Sequence, residues 1–330
     1  MDHMKRVGFL TSGGDCQALN AAMRGVAKTL YHAEEKVEIY GFLDGYQGLI
    51  YGKFRLLTYD DFSGILTKGG TFLGSSRTPF KTIQEPGADG VDKVAAMKQT
   101  YYKLQLDCLV ILGGNGTHKT ANLLRTEGLN VITLPKTIDN DINFIPQSFG
   151  FETAVFKATE AIECAHTEAC GTPNGIGLVK LMGRESGFIA ARATLALKEV
   201  NFVLIPEAPF TLEGEGGLLP ALEERLRSRG HAVIVAAEGA GQHLLKHSAG
   251  TDASGNPVLG EVADLLRKEI NTYLNARQME HSIKYIDPSY IIRSVPANAN
   301  DKVYCGFLGQ YAVHAAMAGR TDMVVAKLQD

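Results

Sequence analysis

The sequence lacks a large charge excess and a long apolar run, and each absence excludes a class of partner. Its 330 residues carry 33 Lys and Arg against 36 Asp and Glu, a formal net charge of −3. A chain so close to neutral has no overall attraction for nucleic acid or an anionic membrane, so it must hold any bound phosphate at a local site. No apolar run approaches the roughly 18 residues of a membrane span. We therefore expect neither nucleic acid nor a membrane as a partner.

Paired cysteines are also missing. The five cysteines, at positions 16, 108, 164, 170 and 305, include no CxxC pair, and their number is odd. This pattern predicts a reducing compartment, with no disulfide framework and no structural zinc. The first four residues show no signal-peptide character. Together these features predict a cytoplasmic location.

Glycine, in contrast, is abundant, and many of the 36 glycines follow apolar runs that are typical of buried strands. Val7 to Leu10 leads into Gly13 and Gly14, and a helical pattern follows from Ala18 to Leu30. Cys108 to Leu112 leads into a second glycine turn, and a helical pattern follows from Lys119 to Thr126. A strand, a glycine turn and a helix N-terminus can bind an anion through backbone N–H groups and the helix dipole. The other interpretation is a tight turn without a ligand.

Two more turns extend the pattern. Residues 69–77 are glycine-rich and end in Arg77, which can fork onto phosphate oxygens or simply face solvent. The apolar run Ile176 to Leu181 is followed by Met182, Gly183 and Arg184, and a later helix is predicted over Val258 to Leu274. This alternation predicts an α/β fold, and the length allows two lobes, each with three layers and a mainly parallel sheet.

The central stretch is the polar segment Lys136 to Asp141, which follows the apolar run Val131 to Leu134. In an open parallel sheet, ligands bind beyond the carboxyl ends of the strands. If the segment is extended, Asp139 and Asp141 point to the same side. One carboxylate would then accept a proton while the other holds a metal. The alternative is an Asx-rich turn with solvated acids.

Four motifs in this order resemble the 6-phosphofructokinase family. They are Leu10 to Asp15, Gly69 to Arg77, Pro135 to Asp141 and Met182 to Arg184, and similarity extends from about Val7 to Met323. Within the family, Lys136 and the run from Lys284 to Ser294 resemble the branch that holds pyrophosphate-dependent enzymes and trypanosomatid-type ATP-dependent enzymes. The resemblance implies a phosphofructokinase-like fold. Residues 5–144 would form a donor-binding lobe, to which later segments can return, and residues 145–330 a fructose 6-phosphate lobe.

The resemblance also implies an activity, namely transfer of a terminal phosphoryl group to the 1-hydroxyl of fructose 6-phosphate in glycolysis, with Mg²⁺ as cofactor. Asp139 would be the general base, with Lys136 and Arg184 as further catalytic residues. The implied donor-binding residues are Gly14, Arg77, Thr78, Gly113, Gly114, Asn115, Gly116 and Thr117. The implied sugar-binding residues are Thr137, Asp139, Met182, Gly183, Arg184, Glu238, Lys284, Tyr290 and Arg293. Asn115 and Asp141 would hold the metal.

Three positions depart from the family pattern. Asn115 stands where the family usually has an acid that helps to hold magnesium, so metal affinity should fall and Asp141 should carry more of it. Gly175 stands where short bacterial enzymes have an arginine that reaches a neighbour's sugar phosphate. The family's chain continues past position 330, which implies a further C-terminal segment.

The phosphoryl donor depends on two residues that point in different directions. Pyrophosphate-using relatives carry an acid where this chain has Gly116, and that acid fills the space of a nucleotide α-phosphate. Lys136 favours pyrophosphate, but ATP-using members of the branch share it, and a steric block discriminates more strongly than an extra cation. We therefore predict ATP as donor, with pyrophosphate as the alternative.

Two other functions are alternatives to phosphoryl transfer to fructose 6-phosphate, and the resemblance also implies an oligomer. A diacylglycerol- or NAD-kinase-like protein would share a GGDG-type turn but would lack the PxTIDND and MGR motifs. A catalytically silent regulatory subunit has Asn115 as its support. The expected partners are fructose 6-phosphate, ATP and further copies of the chain, with a homotetramer favoured and a dimer as the alternative.

Overall fold

The computed structural model describes residues 4–14, 16–245, 250–251 and 257–328. The first three residues, and Asp15 of the first glycine motif, lie outside these ranges. Described residues up to Thr153 and from Arg293 onwards form one compact unit, and those from Ala154 to Ile292 form a second. The change of unit at Thr153 falls after the boundary of 144/145 that the sequence predicts.

Strands and helices alternate along most of the chain. The strands are β1 (Lys5–Thr11), β2 (Val37–Phe42), β3 (Phe54–Leu57), β4 (Cys108–Gly113), β5 (Val131–Pro135), β6 (Gly175–Leu181), β7 (Phe202–Leu204), β8 (His231–Ala237), β9 (Ser282–Ile286) and β10 (Met323–Val324). The helices are α1 (Leu19–Ala33), α2 (Tyr46–Tyr51), α3 (Lys93–Lys103), α4 (Asn115–Thr126), α5 (Phe151–Cys170), α6 (Phe188–Leu197), α7 (Leu218–Arg229), α8 (Val262–Ala276), α9 (Ser289–Ser294) and α10 (Ala299–Met317). Short 3₁₀ helices are Tyr59–Phe62, Ile65–Thr67, Phe80–Thr82 and Gln242–Leu244.

The first unit is built on a six-stranded sheet in the order β10-β5-β4-β1-β2-β3. Only β3, paired with β2, runs antiparallel. In register, Thr11 lies opposite Leu112, and Leu112 lies opposite Leu134. The three strands β1, β4 and β5 therefore end at the same edge of the sheet. The polar segments that follow them must emerge there together.

The core of the first unit explains why its strands read as continuous apolar runs. All six residues of β4 and all five of β5 are buried, as expected for parallel strands covered by helices on both faces. On one side α1 and α10 approach closely, because a Cβ built on Gly309 would lie 2.5 Å from the Val26 nitrogen. Glycine at that position lets the two backbones meet.

The second unit is built on a four-stranded sheet in the order β7-β8-β6-β9, with every pair parallel. Leu181 at the end of β6 lies opposite Ala237 at the end of β8. Buried Leu and Ile side chains of α7 and α8 pack against this sheet. The turns after β6 and β8 therefore lie side by side at the carboxyl edge.

The predicted α/β class with mainly parallel sheets is confirmed, but some boundaries were wrong. Helix α4 begins at Asn115 rather than Lys119, since the glycine turn continues directly into the first helical turn. Helix α8 begins at Val262 rather than Val258. The sequence did not predict α2, β3 or α9, which are too short for a periodic pattern to appear. No helix in the described ranges is long and apolar enough to cross a bilayer.

Candidate active site

Backbone hydrogen bonds join the segments that leave the carboxyl edge of the first unit's sheet. The Ser12 N–H donates to the Leu112 carbonyl and the Lys136 N–H to the Gly113 carbonyl, both at 3.0 Å. The loop that carries Arg77 is joined too, since the Gly13 N–H donates to Ser76 and the Ser75 hydroxyl to Gly13. Three of the predicted donor segments are therefore held as one piece of structure.

Three cationic side chains converge on the turn at Gly14. Lys136, only 5% exposed, donates from Nζ to the Gly14 carbonyl. A Cβ built on Gly14 would lie 3.4 Å from Nη2 of Arg77 and 3.7 Å from Nη1 of Arg293. Cationic side chains grouped around one turn can donate hydrogen bonds to an anion such as a phosphate and neutralise its charge. The sequence assigned Arg293 to the sugar phosphate, whereas the structure places it beside the donor turn.

The N-terminus of α4 supplies backbone donors next to these cations. Its N-cap is Gly114, and no side chain among the described residues caps the helix. The N–H groups of the first turn are therefore available to an anion. A side chain would not fit at one glycine of this turn but would fit at another. A Cβ on Gly113 would lie 2.3 Å from Cγ2 of Thr117, whereas a Cβ on Gly116 would meet nothing described within 4 Å.

Tyr46 contacts this turn, and Thr78 follows Arg77 in the loop that is hydrogen-bonded to Gly13. The Thr78 hydroxyl oxygen is buried and has no hydrogen-bond partner among the described residues, so it has donor and acceptor capacity for a ligand. Tyr46 is fully buried and donates its hydroxyl to the Thr117 carbonyl at 2.9 Å, which positions α4. Sequence reasoning identified Thr78 through the family resemblance and missed Tyr46, because a core tyrosine has no distinguishing local pattern.

His118 was also missed. Its Nε2 lies 2.8 Å from the Gly113 carbonyl, so this nitrogen carries the proton and donates it. Burial, together with the positive charge of Lys136, lowers the pKa of His118 to about 4. The imidazole is therefore neutral near pH 7 and acts as a support for the glycine turn.

The segment from Lys136 to Asp141 is not extended throughout, so the condition under which Asp139 and Asp141 would point to the same side is not met. Asn140 has φ of 55°, in the left-handed region, and its side chain accepts from the Ser148 N–H at 2.8 Å and donates to the Pro146 carbonyl at 3.1 Å. Asn tolerates this conformation better than most residues because its amide forms such local hydrogen bonds. The chain bends here, with the Asp139 N–H donating to Oγ1 of Thr137 at 3.1 Å.

The two predicted metal ligands lie next to each other. The Asn115 amide nitrogen is 3.3 Å from both the carboxylate Oδ2 and the backbone oxygen of Asp141. Because the two ends of an amide exchange by a simple flip, the Asn115 oxygen can occupy the same place. The pair then presents several oxygen atoms, which are the ligands that Mg²⁺ prefers.

In the second unit, the turn after β6 is held by acidic side chains. Gly183 has φ of 140° and Arg184 has φ of 49°. The Arg184 N–H donates to Glu238 Oε1 at 2.8 Å, and its guanidinium donates to the Pro257 carbonyl at 3.1 Å. Gly239 must be glycine, since a Cβ there would lie 1.8 Å from the Arg184 carbonyl oxygen. Arg184, Gly183, Met182 and Glu238 are thus brought together.

Lys284 and Tyr290 are placed differently. Lys284 lies opposite Gly177 in the sheet, and Gly177 precedes Leu181 by about 13 Å at ~3.3 Å per residue. Lys284 is therefore in the middle of the sheet rather than at the edge where Arg184 lies. Tyr290, on α9, is 78% exposed. The sugar-binding roles of these two residues stay predictions.

Comparison with known proteins agrees with this architecture. The chain is 45% identical to the ATP-dependent 6-phosphofructokinase of Amycolatopsis methanolica, across 97% of this chain and 70% of that protein. Pichia pastoris phosphofructokinase matches with a TM-score of 0.75 and 23% identity, over 96% of this chain but only 33% of that one. The pyrophosphate-dependent phosphofructokinase of Marinobacter aquaeolei matches with a TM-score of 0.74 and 22% identity, over 96% of this chain and 77% of that one.

A phosphofructokinase family model matches residues 6–316, which include every predicted site residue, the whole four-stranded sheet and all of the six-stranded sheet except Lys5 and β10. The described residues of the four motifs that suggested this family lie at the carboxyl edges of the two sheets or, for residues 69–77, in a loop hydrogen-bonded to one of those edges. On the match to the family model and the identity to the Amycolatopsis enzyme, the chain belongs to the phosphofructokinase family.

Proposed function

We propose that this chain transfers the terminal phosphoryl group of ATP to the 1-hydroxyl of fructose 6-phosphate, giving fructose 1,6-bisphosphate and ADP. The observation that carries the proposal is the convergence of Lys136, Arg77 and Arg293 on Gly14. Phosphoryl transfer needs positioning and charge neutralisation more than covalent chemistry from the protein. The 45% identity to a protein named as an ATP-dependent 6-phosphofructokinase supports the same reaction.

The donor phosphates would be held by the turns at Gly14 and at Gly113 to Thr117, with Arg77, Thr78 and Lys136. Asp139, half-buried beside Thr137, would accept the proton of the sugar hydroxyl as its oxygen attacks the terminal phosphorus. In the second unit Met182, Gly183, Arg184 and Glu238 would bind the sugar phosphate. We keep Lys284, Tyr290 and Arg293 as sugar-binding candidates from the family resemblance. Because Nη1 of Arg293 lies near Gly14, Arg293 would also contact the donor.

Magnesium fits the residues present. Asp141 supplies a carboxylate, and Asn115 supplies an amide oxygen within reach of it. The metal would neutralise charge on the donor phosphates, and the single negative charge of this pair predicts weaker binding than two acids would give. The cytoplasmic location and the homotetramer, with a dimer as alternative, stay predictions.

ATP is favoured over pyrophosphate by the space at Gly116. An α-phosphate needs room beside the first turn of α4, and no described atom lies within 4 Å of the Cβ position of Gly116. Lys136 supports the second candidate, a pyrophosphate-dependent enzyme, because it brings an extra cation to the donor. We give the steric argument more weight because a clash cannot be screened by water or salt.

The test compares specificity constants for ATP and pyrophosphate at saturating fructose 6-phosphate. The wild type should prefer ATP by at least tenfold, about 1.4 kcal/mol of transition-state stabilisation. Gly116→Asp should lose most ATP activity, and Gly116→Asn is the control that adds similar bulk without charge. If the block is steric, both variants lose ATP activity, whereas loss in Gly116→Asp alone indicates charge repulsion.

Three outcomes would contradict the proposal. A wild type that prefers pyrophosphate tenfold would reassign the donor. A Gly116→Asp variant with full ATP activity would remove the argument from space. No bisphosphate with either donor would favour the catalytically silent subunit instead.

A further inference from the structure

Two histidines and a cysteine meet at the amino edge of the second unit's sheet. His166 and Cys170 lie on α5, and His231 is the first residue of β8. One ring nitrogen of each histidine and the Cys170 sulfur all lie within 4.8 Å of one another. The predicted sugar-binding residue Glu238 follows the other end of β8, about 20 Å away at ~3.3 Å per residue. The group is therefore separate from the proposed active site.

The sequence spacing and the fold both contribute to this group. His166 and Cys170 are four residues apart on a helix, so their side chains lie on the same face. His231 starts a strand in register with Gly175, only a few residues past the end of α5. Among the described residues, this is the one group of three or more His, Cys, Asp and Glu side chains with mutual ligand distances of this kind.

Both imidazoles are oriented as metal-binding histidines usually are. Nδ1 of His166 lies 3.0 Å from the Glu199 carboxylate, and Nδ1 of His231 lies 3.2 Å from the Arg229 carbonyl oxygen. An acceptor at each Nδ1 places the ring proton there, which leaves Nε2 with a lone pair. This second shell of a carboxylate and a carbonyl fixes the tautomer that a metal requires. It is an observation independent of the distances within the group.

We propose that His166, Cys170 and His231 bind a zinc ion. Two imidazole nitrogens and one thiolate are a ligand set that Zn²⁺ takes, with a water or a fourth ligand completing a tetrahedron. Zinc bond lengths of about 2.0–2.3 Å place neighbouring ligands roughly 3.3–3.7 Å apart, so side-chain rotations of about 1 Å close the site.

The sequence argument expected no structural zinc because no CxxC pair is present. The proposed site would instead take its ligands from a helix and a strand. A bound ion would tie the end of α5 to the start of β8. Binding to the folded state alone stabilises it by mass action, so zinc should raise the thermal midpoint on the order of 5 °C at saturation.

The test uses the full chain, freed of metal by a chelator, and measures metal binding rather than activity. Titration with Zn²⁺ should show one equivalent per chain. Co²⁺ in its place should give a thiolate-to-metal charge-transfer band and the intense visible bands of tetrahedral cobalt. Cys170→Ser should abolish the charge-transfer band and weaken zinc binding at least 100-fold. Cys164→Ser, which removes another exposed cysteine of the same helix, is the matched control and should bind like the wild type.

Glu199→Gln removes the charge of the carboxylate beside Nδ1 of His166 and leaves all three proposed metal ligands in place. It should weaken zinc binding roughly 10–100-fold, as changes to such partners do. The proposal is overturned if the wild type binds neither ion stoichiometrically, if Cys170→Ser binds as tightly as Cys164→Ser, or if the cobalt spectrum shows no thiolate band. It does not depend on the proposed phosphoryl transfer, since every readout is of metal binding.

Discussion

The turn after β4 and the turn after β6 share one local pattern and have opposite electrostatics. Each follows a buried parallel strand, contains glycine and leads into a helix. In the first, no described side chain caps α4, and Nζ of Lys136 lies at the neighbouring turn, where it donates to the Gly14 carbonyl. In the second, Glu238 accepts the Arg184 N–H at 2.8 Å and Glu207 accepts the Gly187 N–H at 2.9 Å.

The difference shows what makes a glycine turn an anion site. Backbone N–H groups attract a phosphate only while they lack another acceptor. In the second unit two carboxylates accept from the N–H groups of Arg184 and Gly187, so these two donors are not offered to a ligand, and the guanidinium of Arg184 is the cation of that turn. We therefore expect the first turn to bind the donor through its backbone and the second to bind the sugar phosphate through side chains.

The largest expected effect tests whether the first unit supplies the chemistry as well as the donor site. Asp139→Asn keeps the shape of the side chain but removes the proton acceptor. Turnover should fall roughly 10²–10⁴-fold, the usual contribution of general base catalysis. ATP binding, measured by calorimetry without sugar phosphate, should change little. Near-native turnover in this variant would show that another group takes the proton.

The next effect separates the roles of the two turns. Glu238→Ala removes the acceptor of the Arg184 N–H, and a hydrogen bond to a charged group is worth about 1.5–3 kcal/mol. The specificity constant for fructose 6-phosphate should fall roughly 10–100-fold, while the KM for ATP stays the same. Glu238→Gln, which keeps an oxygen acceptor, should lose less. An equal fall in the specificity constants for ATP and for fructose 6-phosphate would show that the two turns do not have separate roles.

Two glycines of the first turn are expected to differ in stability. Gly113→Ala places a Cβ about where Thr117 already lies, and such overpacking costs about 1–3 kcal/mol. Gly116→Ala enters open space within α4, where alanine is favoured over glycine by up to ~1 kcal/mol. Urea unfolding of both variants measures the difference. Equal stabilities would mean that the backbone at residue 113 adjusts freely.

Acid should weaken the first turn through His118. Its pKa is lowered to about 4 by burial and by Lys136, from an ordinary value of 6.5. Between these values the unfolded chain binds a proton that the folded chain does not, so stability is full above pH 6.5 and falls as the pH drops toward 4. The loss should be roughly 1–3 kcal/mol. In His118→Asn this part of the pH dependence should vanish, and an unchanged profile would assign it to other groups.

The smallest expected effect concerns the metal. Asn115→Asp places a second carboxylate beside Asp141, which should lower the Mg²⁺ concentration for half-maximal rate several-fold, less than tenfold. Titrating Mg²⁺ at fixed ATP and fructose 6-phosphate measures it. A higher requirement would show that the two acids repel each other more than they gain from the ion.

The sequence by itself determined the class of fold and most of the residues in the two turns. Parallel strands buried on both faces must be apolar along their length, so β4, β5 and β6 were recognisable, and the glycine motifs at their ends marked the edge where ligands bind. The motifs Pro135 to Asp141 and Met182 to Arg184 named the family, which the comparisons then confirmed.

Only the tertiary structure decided which distant residues meet. Arg293 lies beside Gly14, Lys284 lies away from the Arg184 turn, and His231 joins His166 and Cys170. Periodicity reports which side of an element is buried, but not which element covers it, since that depends on strand order and register. For the segment at Asn140 the sequence left an extended chain and an Asx-rich turn both open, for a related reason. The bend depends on hydrogen bonds from the Asn140 side chain to the Ser148 N–H and the Pro146 carbonyl, which come together only in the folded loop.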